Sequence, residues 1–200
     1  MDPEVLGKKY DKIGAWWHRH HEHSRYGMDQ IERALRYRGD DQAGGTALDV
    51  GCGSGGRVIN ALTAHGYAVT GVDVSAEMIR LARKHHPDTT LVHADICQWQ
   101  SDERFDVIVG WDSIFHVPLS EQRQVVTKLC ELLNQGGVLI YTFGNAVGES
   151  TDTWRDDTFY YSSIGIDENV RTLMANECSV LHLERDQFPE RHVYVVAQKH

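Results

Sequence analysis

The chain has 200 residues, of which 41% are apolar and 24% charged, with a formal net charge of −9. That length suits one domain with a sizeable core, and no run of about 18 apolar residues suggests a membrane span. The acidic balance contains no basic block, which disfavours a nucleic-acid partner and favours a small molecule.

Residues 1–45 come first, and they are expected to form an N-terminal helical lid. Their opening stretch, Met1 to Tyr10, lacks the apolar core of a signal peptide. Tyr10, Trp16 and Trp17 are followed by a histidine cluster, His18, His20, His21 and His23. His18 and His21, or His20 and His23, would share a helix face. A catalytic zinc needs a third ligand, and Glu22 falls on another face, so a solvated or substrate-facing helix is expected and no metal. Ile31, Ala34 and Leu35 follow the spacing of an amphipathic helix. Gly39 to Gly45 reads as the loop into a sheet.

From 46 to 145, strand and helix patterns alternate, as a parallel sheet requires. The first strand runs into Leu48-Asp49-Val-Gly51-Cys-Gly53-Ser-Gly55-Gly56. Alternating glycines let the backbone turn sharply and admit a ligand where side chains would clash. The free N–H groups of the following helix then face that ligand. Gly51, Gly53 and Gly56 also fit the dinucleotide spacing G-x-G-x-x-G. Asp49 argues against that reading, because a pyrophosphate gains nothing from a neighbouring carboxylate, whereas an ammonium group does. The second strand ends at Asp73, 22 residues after Gly51. A carboxylate there accepts a pair of ribose hydroxyls, or caps the next helix, a task that Ser75 could also perform. Asp95 stands at the third strand tip, within reach of an adenine amino group or as a turn cap. The fourth strand, Phe105 to Trp111, is followed by Asp112 and His116. His116 is a titratable group suited to taking a proton near neutral pH; the alternative is a histidine bonded to a backbone carbonyl before Pro118.

Val125, Leu129, Leu132 and Leu133 form the apolar face of a helix that Gly136-Gly137 is expected to end. Residues 145–163 read as a long polar loop holding Trp154, Phe159, Tyr160 and Tyr161, candidates for a substrate wall. A last helix over 166–175 precedes two extended runs, 180–187 and 192–199, which read as a C-terminal hairpin. The four cysteines, Cys52, Cys97, Cys130 and Cys178, are widely spaced, as free thiols in a reducing cytosol would be.

Five segments taken together resemble the class I S-adenosylmethionine-dependent methyltransferases of the small-molecule type. They are Leu-Asp49-Val-Gly51-Cys-Gly53-Ser-Gly55, Val-Thr-Gly-Val-Asp73-Val-Ser-Ala-Glu-Met78, Ala94-Asp95-Ile96, Phe105-Asp-Val-Ile-Val and Leu132-Leu-Asn-Gln-Gly136-Gly137-Val-Leu, in the family's order. The resemblance implies an α/β, Rossmann-like, seven-stranded and mostly parallel sheet, with helices on both faces, strand order 3-2-1-4-5-7-6 and an antiparallel C-terminal hairpin. It implies a single domain, with 1–45 as lid, 46–145 as cofactor-binding core and 146–200 as substrate loop and hairpin. It implies S-adenosyl-L-methionine as cofactor, with Asp49, Gly51, Gly53 and Gly55 at its methionine part. Asp73 with Val74 would serve the ribose, Met78, Asp95 and Ile96 the adenosine, Trp111 at the end of the fourth strand the methionine part, and Tyr10 and Trp17 would close over the ligand. Asp112 and His116 are the expected catalytic residues, and Trp16, His116, Tyr160 and Tyr161 the expected acceptor wall. The expected protein is a cytoplasmic monomer or homodimer acting on a small-molecule acceptor, without nucleic acid, membrane or metal. An Asn-Pro-Pro-Tyr motif and a Pro-Cys nucleophile are both absent, which argues against nucleic-acid methylation. Two other readings remain open: an NAD(P)-dependent oxidoreductase using the glycine spacing, and a cofactor-binding protein without transfer.

Overall fold

The computed structural model describes residues 1–39 and 44–200. Most of the expected entry loop, residues 40–43, lies outside them. Helix α1 (Pro3–His21) starts at Asp2, whose side chain accepts from Glu4 N at 2.8 Å, with Pro3 supplying a preset φ in the first turn. Helix α2 (Met28–Arg36) buries Met28, Ile31, Ala34 and Leu35, the stripe its spacing predicts. Then come β1 (Gly45–Val50), α3 (Arg57–Ala64), β2 (Tyr67–Asp73), α4 (Ala76–His85), β3 (Thr90–His93) and β4 (Phe105–Gly110). After a short 3₁₀ turn at Ile114–His116 follow α5 (Leu119–Glu131), β5 (Leu133–Gly144), β6 (Val147–Trp154), β7 (Asp157–Ile164), α6 (Gly165–Ala175), β8 (Cys178–Glu184) and β9 (His192–Lys199).

Seven strands form one sheet in the order β3-β2-β1-β4-β5-β9-β8. Counting only those seven, this is the expected 3-2-1-4-5-7-6. The first five run parallel, and β9 pairs antiparallel with both β5 and β8. Both faces are covered. Along β4, Val107 and Val109 join one buried cluster with Ile59, Leu62 and Ile31, while Ile108 joins the other with Val125, Leu129 and Tyr141. Burial on both sides is why these strands read as nearly continuous apolar runs. From β1 the chain crosses to β2 on one side, and β4 lies on the other. A crevice therefore opens at the carboxyl ends of β1 and β4, where such sheets bind ligands. Among the described residues, no helix is long and apolar enough to cross a membrane.

Two local expectations are corrected. The helix after His116 does not run to the glycine pair: α5 closes at Glu131, and Leu133 already pairs with Phe105 in the sheet. Gly136, at φ 74°, instead belongs to a bulge where the β4–β5 register shifts before Val107 meets Val138. The second correction concerns residues 145–163, which form a regular antiparallel hairpin, β6 against β7, rather than a loop. Its two turn residues, Arg155 and Asp156, have φ of 50° and 62°. That is the left-handed pair of a tight hairpin turn, made without the usual Asn-Gly signal.

Helix α1 lies across the carboxyl ends of the strands. At Gly7 a Cβ would overlap the carbonyl oxygen of Val74, so only glycine allows this approach. Asp11 fixes the helix further, its Oδ1 accepting from Ser75 Oγ at 2.6 Å and Glu77 N at 2.9 Å. Lys9 and Lys12 both pair with Asp157 of the hairpin.

Candidate active site

A cleft opens between the carboxyl ends of β1, β2 and β4 and the inner face of α1, at the switch point where open α/β sheets hold their ligands. Its floor is the glycine loop. Gly51, at φ 72°, takes a conformation that side chains resist, and a Cβ there would overlap Ser113. Asp49, one residue before the end of β1, is 2% exposed, and its Oδ2 has no hydrogen-bond partner. Burial, and then the neighbouring Asp73 carboxylate, push the Asp49 carboxyl up to about 8.

Asp73 ends β2 and faces the loop. Its Oδ2 accepts from Gly53 N at 2.8 Å and its Oδ1 from Ser75 N at 2.8 Å. Burial pushes this carboxyl up, and the two N–H bonds oppose that shift. The cap of α4 falls to Ser75, which accepts from Met78 N at 3.1 Å. Val74, Met78, Asp95 and Ile96 line the far end of the cleft. Asp95 also accepts from Cys97 N at 2.9 Å, so it shapes the turn there as well.

Pro3, Leu6, Tyr10, Trp17 and His21 of α1 complete the roof. Their spacing of three, four and seven residues is one helical stripe. Trp16 is a third of a turn away and does not line the cleft. It stacks on His20 at 4.0 Å and lies 3.7 Å below the Arg155 guanidinium carbon. Tyr160 and Tyr161 are likewise outside the lining. As neighbours on β7 they point to opposite faces. Tyr160 is buried, its hydroxyl bonded to Leu119 N and Glu149, while Tyr161 packs 5.0 Å from the His116 ring. Gly55 also turns away, since a Cβ there would meet His86 and Ala82 of the neighbouring helix region.

The remaining wall follows β4: Trp111, Asp112, Ser113 and His116. His116 does not present a free nitrogen. Its Nδ1–H donates to Tyr160 O at 2.7 Å, and its Nε2 accepts from the Tyr10 hydroxyl at 2.8 Å. Burial lowers its pKa to about 4, against the opposing pull of the carbonyl bond. The ring is therefore neutral at pH 7, a weak base with both nitrogens engaged, which corrects its expected role as the general base. Asp112 has φ 55°, a left-handed conformation that Asp tolerates better than most residues. The backbone is held there by a 2.8 Å bond from Asp112 N to Thr142 Oγ1. Asp112 Oδ1 accepts from His192 Nε2 at 3.0 Å, and His192 Nδ1 donates to Asp186 at 2.5 Å. Burial alone would lower the His192 pKa, but its bonds to the two carboxylates outweigh this and hold it above the usual histidine value.

Sequence reasoning missed Arg57 and His192, and had His21 only as one member of the histidine cluster on a solvated or substrate-facing helix. Arg57 Nη2 lies 3.7 Å from Asp112 Oδ2, while its Nε is buried without a partner. In the cleft, four carboxylates (Asp49, Asp73, Asp95, Asp112) face one guanidinium. Such walls suit a ligand carrying positive charge, and the unpartnered Asp49 Oδ2 and Arg57 Nε are polar atoms that a zwitterionic ligand could satisfy. The residues present thus fit S-adenosylmethionine.

Comparison with known proteins agrees with this geometry. A family model described as a methyltransferase domain matches residues 47–137. Ubiquinone biosynthesis O-methyltransferase of Coxiella burnetii is 30% identical over 153 residues, 71% of this chain and 62% of that protein. Phosphoethanolamine N-methyltransferase 2 of Caenorhabditis elegans is 31% identical over 136 residues, 64% of this chain and 31% of that protein. The chain thus spans less than two thirds of the length of these relatives. The crystal structure of magnesium protoporphyrin IX methyltransferase from Synechocystis with bound SAH shares the fold, with a TM-score of 0.73 at 18% identity and 100% of both chains covered. By its five ordered motifs, its strand order and these relatives, residues 47–137 carry a methyltransferase domain, built on the fold of the class I S-adenosylmethionine-dependent methyltransferases.

Proposed function

We propose that this protein moves a methyl group from S-adenosylmethionine to a small-molecule acceptor. The observation that carries the reading is the acid-walled cleft whose buried Asp49 keeps an unpartnered oxygen. When bound, the cofactor supplies a methyl group already activated by its sulfonium charge. Asp49 receives the ammonium group, Arg57 the carboxylate, and Asp73 the ribose hydroxyls through lone pairs its two backbone N–H bonds leave free. Met78, Asp95 and Ile96 frame the adenine. Tyr10, Trp17 and Trp111 exclude water and present π faces to the cation. The protein's main contribution is alignment. Four free cysteines suit a reducing compartment, here read as the cytoplasm.

S-Adenosylhomocysteine (SAH) at a hundred times its dissociation constant is expected to stabilise the fold by about 2.7 kcal/mol. For a domain of this size that raises the melting temperature by about 5–10 °C. NAD at the same concentration should leave the melting temperature unchanged; the reverse pattern would sink the methyltransferase reading in favour of an oxidoreductase.

Within this reading Asp112 takes the acceptor's proton, and His116 is a positioning residue that holds Tyr10 in place. Asp112→Asn is expected to lower kcat about a hundredfold for an acceptor that must lose a proton, with SAH affinity within about threefold of the parent. His116→Ala should instead weaken SAH binding through the loosened Tyr10, and should leave the pH profile of kcat in place. If His116→Ala removed a basic limb from that profile while SAH affinity held, the two roles would be exchanged.

A further inference from the structure

We propose that His18, Glu22 and His85 form a site for one divalent transition-metal ion of the zinc type, which fastens the end of α1 to α4 beside the glycine loop. Of the histidine cluster of residues 18–23, only His21 lines the cofactor cleft; the others are not absorbed by the methyl-transfer reading. The i, i+3 histidine pairs suggested by the sequence do not converge. The pair that does is His18 and Glu22, one helical turn apart, and the third donor comes from His85 at the last residue of α4. One ligand atom from each lies within 4.8 Å of the other two. His18 Nε2 is 3.6 Å from Glu22 Oε2, and the His18 and His85 rings lie 4.2 Å apart. A tetrahedral ion with bonds of about 2.0–2.1 Å holds its ligands roughly 3.4 Å apart. Rotation of two solvent-facing side chains, His85 and Glu22, closes that gap.

Two details favour a metal over a surface ion pair. His18 is the fixed member, with only 13% of its side chain exposed, and its Nδ1 is bonded to Ser54 Oγ at 3.2 Å. That commits one ring nitrogen to the glycine loop and leaves Nε2 directed at Glu22, the second-partner arrangement that orients metal-bound histidines. In addition, no lysine or arginine shares Glu22: among the described residues its ion-pair partners are His18 and His23 alone. Two imidazoles and a carboxylate form the donor set that suits zinc. A water, or His23 with its Nε2 at 4.0 Å from Glu22 Oε2, completes four-coordination. An ion there would bridge two helices that already meet at Asp11 and at Gly14, one residue along from Trp17 in the roof of the cleft.

The test uses the full chain without a polyhistidine tag, stripped with a chelator and free of cofactor. Its failure would leave the methyl-transfer reading intact. Zn²⁺ is titrated against a chromogenic chelator, and Co²⁺ is followed by its visible absorption. The expected result is one equivalent bound at about 10 µM or tighter, with the intense bands of tetrahedral Co²⁺. His85→Ala and Glu22→Gln should each weaken binding at least about tenfold. His20→Ala should not, because His20 Nδ1 is bonded to Trp16 O within its own turn and the ring stacks on Trp16. Stoichiometric binding that survives His85→Ala, equal losses in His20→Ala, or no binding in this range would each overturn the proposal. Circular dichroism of the stripped variants separates loss of ligand from loss of fold.

Discussion

Asp49→Asn is expected to weaken SAH binding by at least about a hundredfold and to stabilise the ligand-free protein at alkaline pH. Both effects follow from one buried carboxyl group. Removing the partner of a buried charge costs about 3 kcal/mol or more, which is two factors of ten at 1.4 kcal/mol each. The pH dependence has a definite sign. In the folded, ligand-free protein the Asp49 carboxyl titrates at about 8, against 3.8 as its ordinary value, because burial and then Asp73 disfavour the ionised form. Below 3.8 the group is protonated folded or unfolded and has no effect on stability. Between 3.8 and about 8 the folded chain holds the extra proton, so stability falls as pH rises. Above about 8 the penalty is complete and constant. The asparagine variant escapes it, so its advantage in melting temperature should be absent near pH 4, grow through that window and be largest above pH 8. Ligand binding reverses the preference, since an ammonium group favours the carboxylate. At pH 7 SAH should therefore expel one proton, visible as a buffer-dependent heat in calorimetry, and affinity should improve tenfold per pH unit up to about 8. A pH-independent affinity together with no proton release would remove Asp49 from the ammonium role.

Asp73→Ala should weaken SAH binding about tenfold to a hundredfold, as charge-assisted bonds worth about 1.5–3 kcal/mol are lost. The same change strips a partner from Gly53 N and from Ser75 N. A lower melting temperature of the ligand-free protein should accompany it, because two part-buried N–H groups lose their partner. The dissociation constant is read by calorimetry below the variant's own unfolding transition. An unchanged constant in the folded variant would reject a ribose contact and leave Asp73 as a brace for the loop.

The strand order was legible only through the family resemblance; the glycine loop, the acid that ends β2 and the helix stripes were legible because each is a local pattern. They rest on alternation, on a period of 3.6 and on turn residues at fixed spacing. The hairpin was not. Seven of the eight residues of β6 are exposed, so no apolar alternation marks it, and Arg155 in a left-handed turn position gives no warning. Missing the hairpin led directly to the misplaced wall. In a loop, Tyr160 and Tyr161 can face one way; on a strand they cannot. The same geometry separates Trp16 from Trp17 on α1. Arg57, His192 and His85 were illegible for another reason. Each reaches its partner from a distant part of the chain, Arg57 to Asp112, His192 to Asp112 and His85 to His18.

Asp11 caps a helix that is not its own. By accepting from Ser75 Oγ and Glu77 N it satisfies the first turn of α4 from the far side of the cleft. Lifting α1 thus uncovers the ligand and frays α4 in one movement, because both depend on the same carboxylate. The amide of Glu77 then becomes a clock: its exchange with deuterated solvent reports how often the roof opens. That opening frequency is an upper bound on how fast a spent cofactor can leave by this route, and so on turnover, however fast the chemistry beneath it runs.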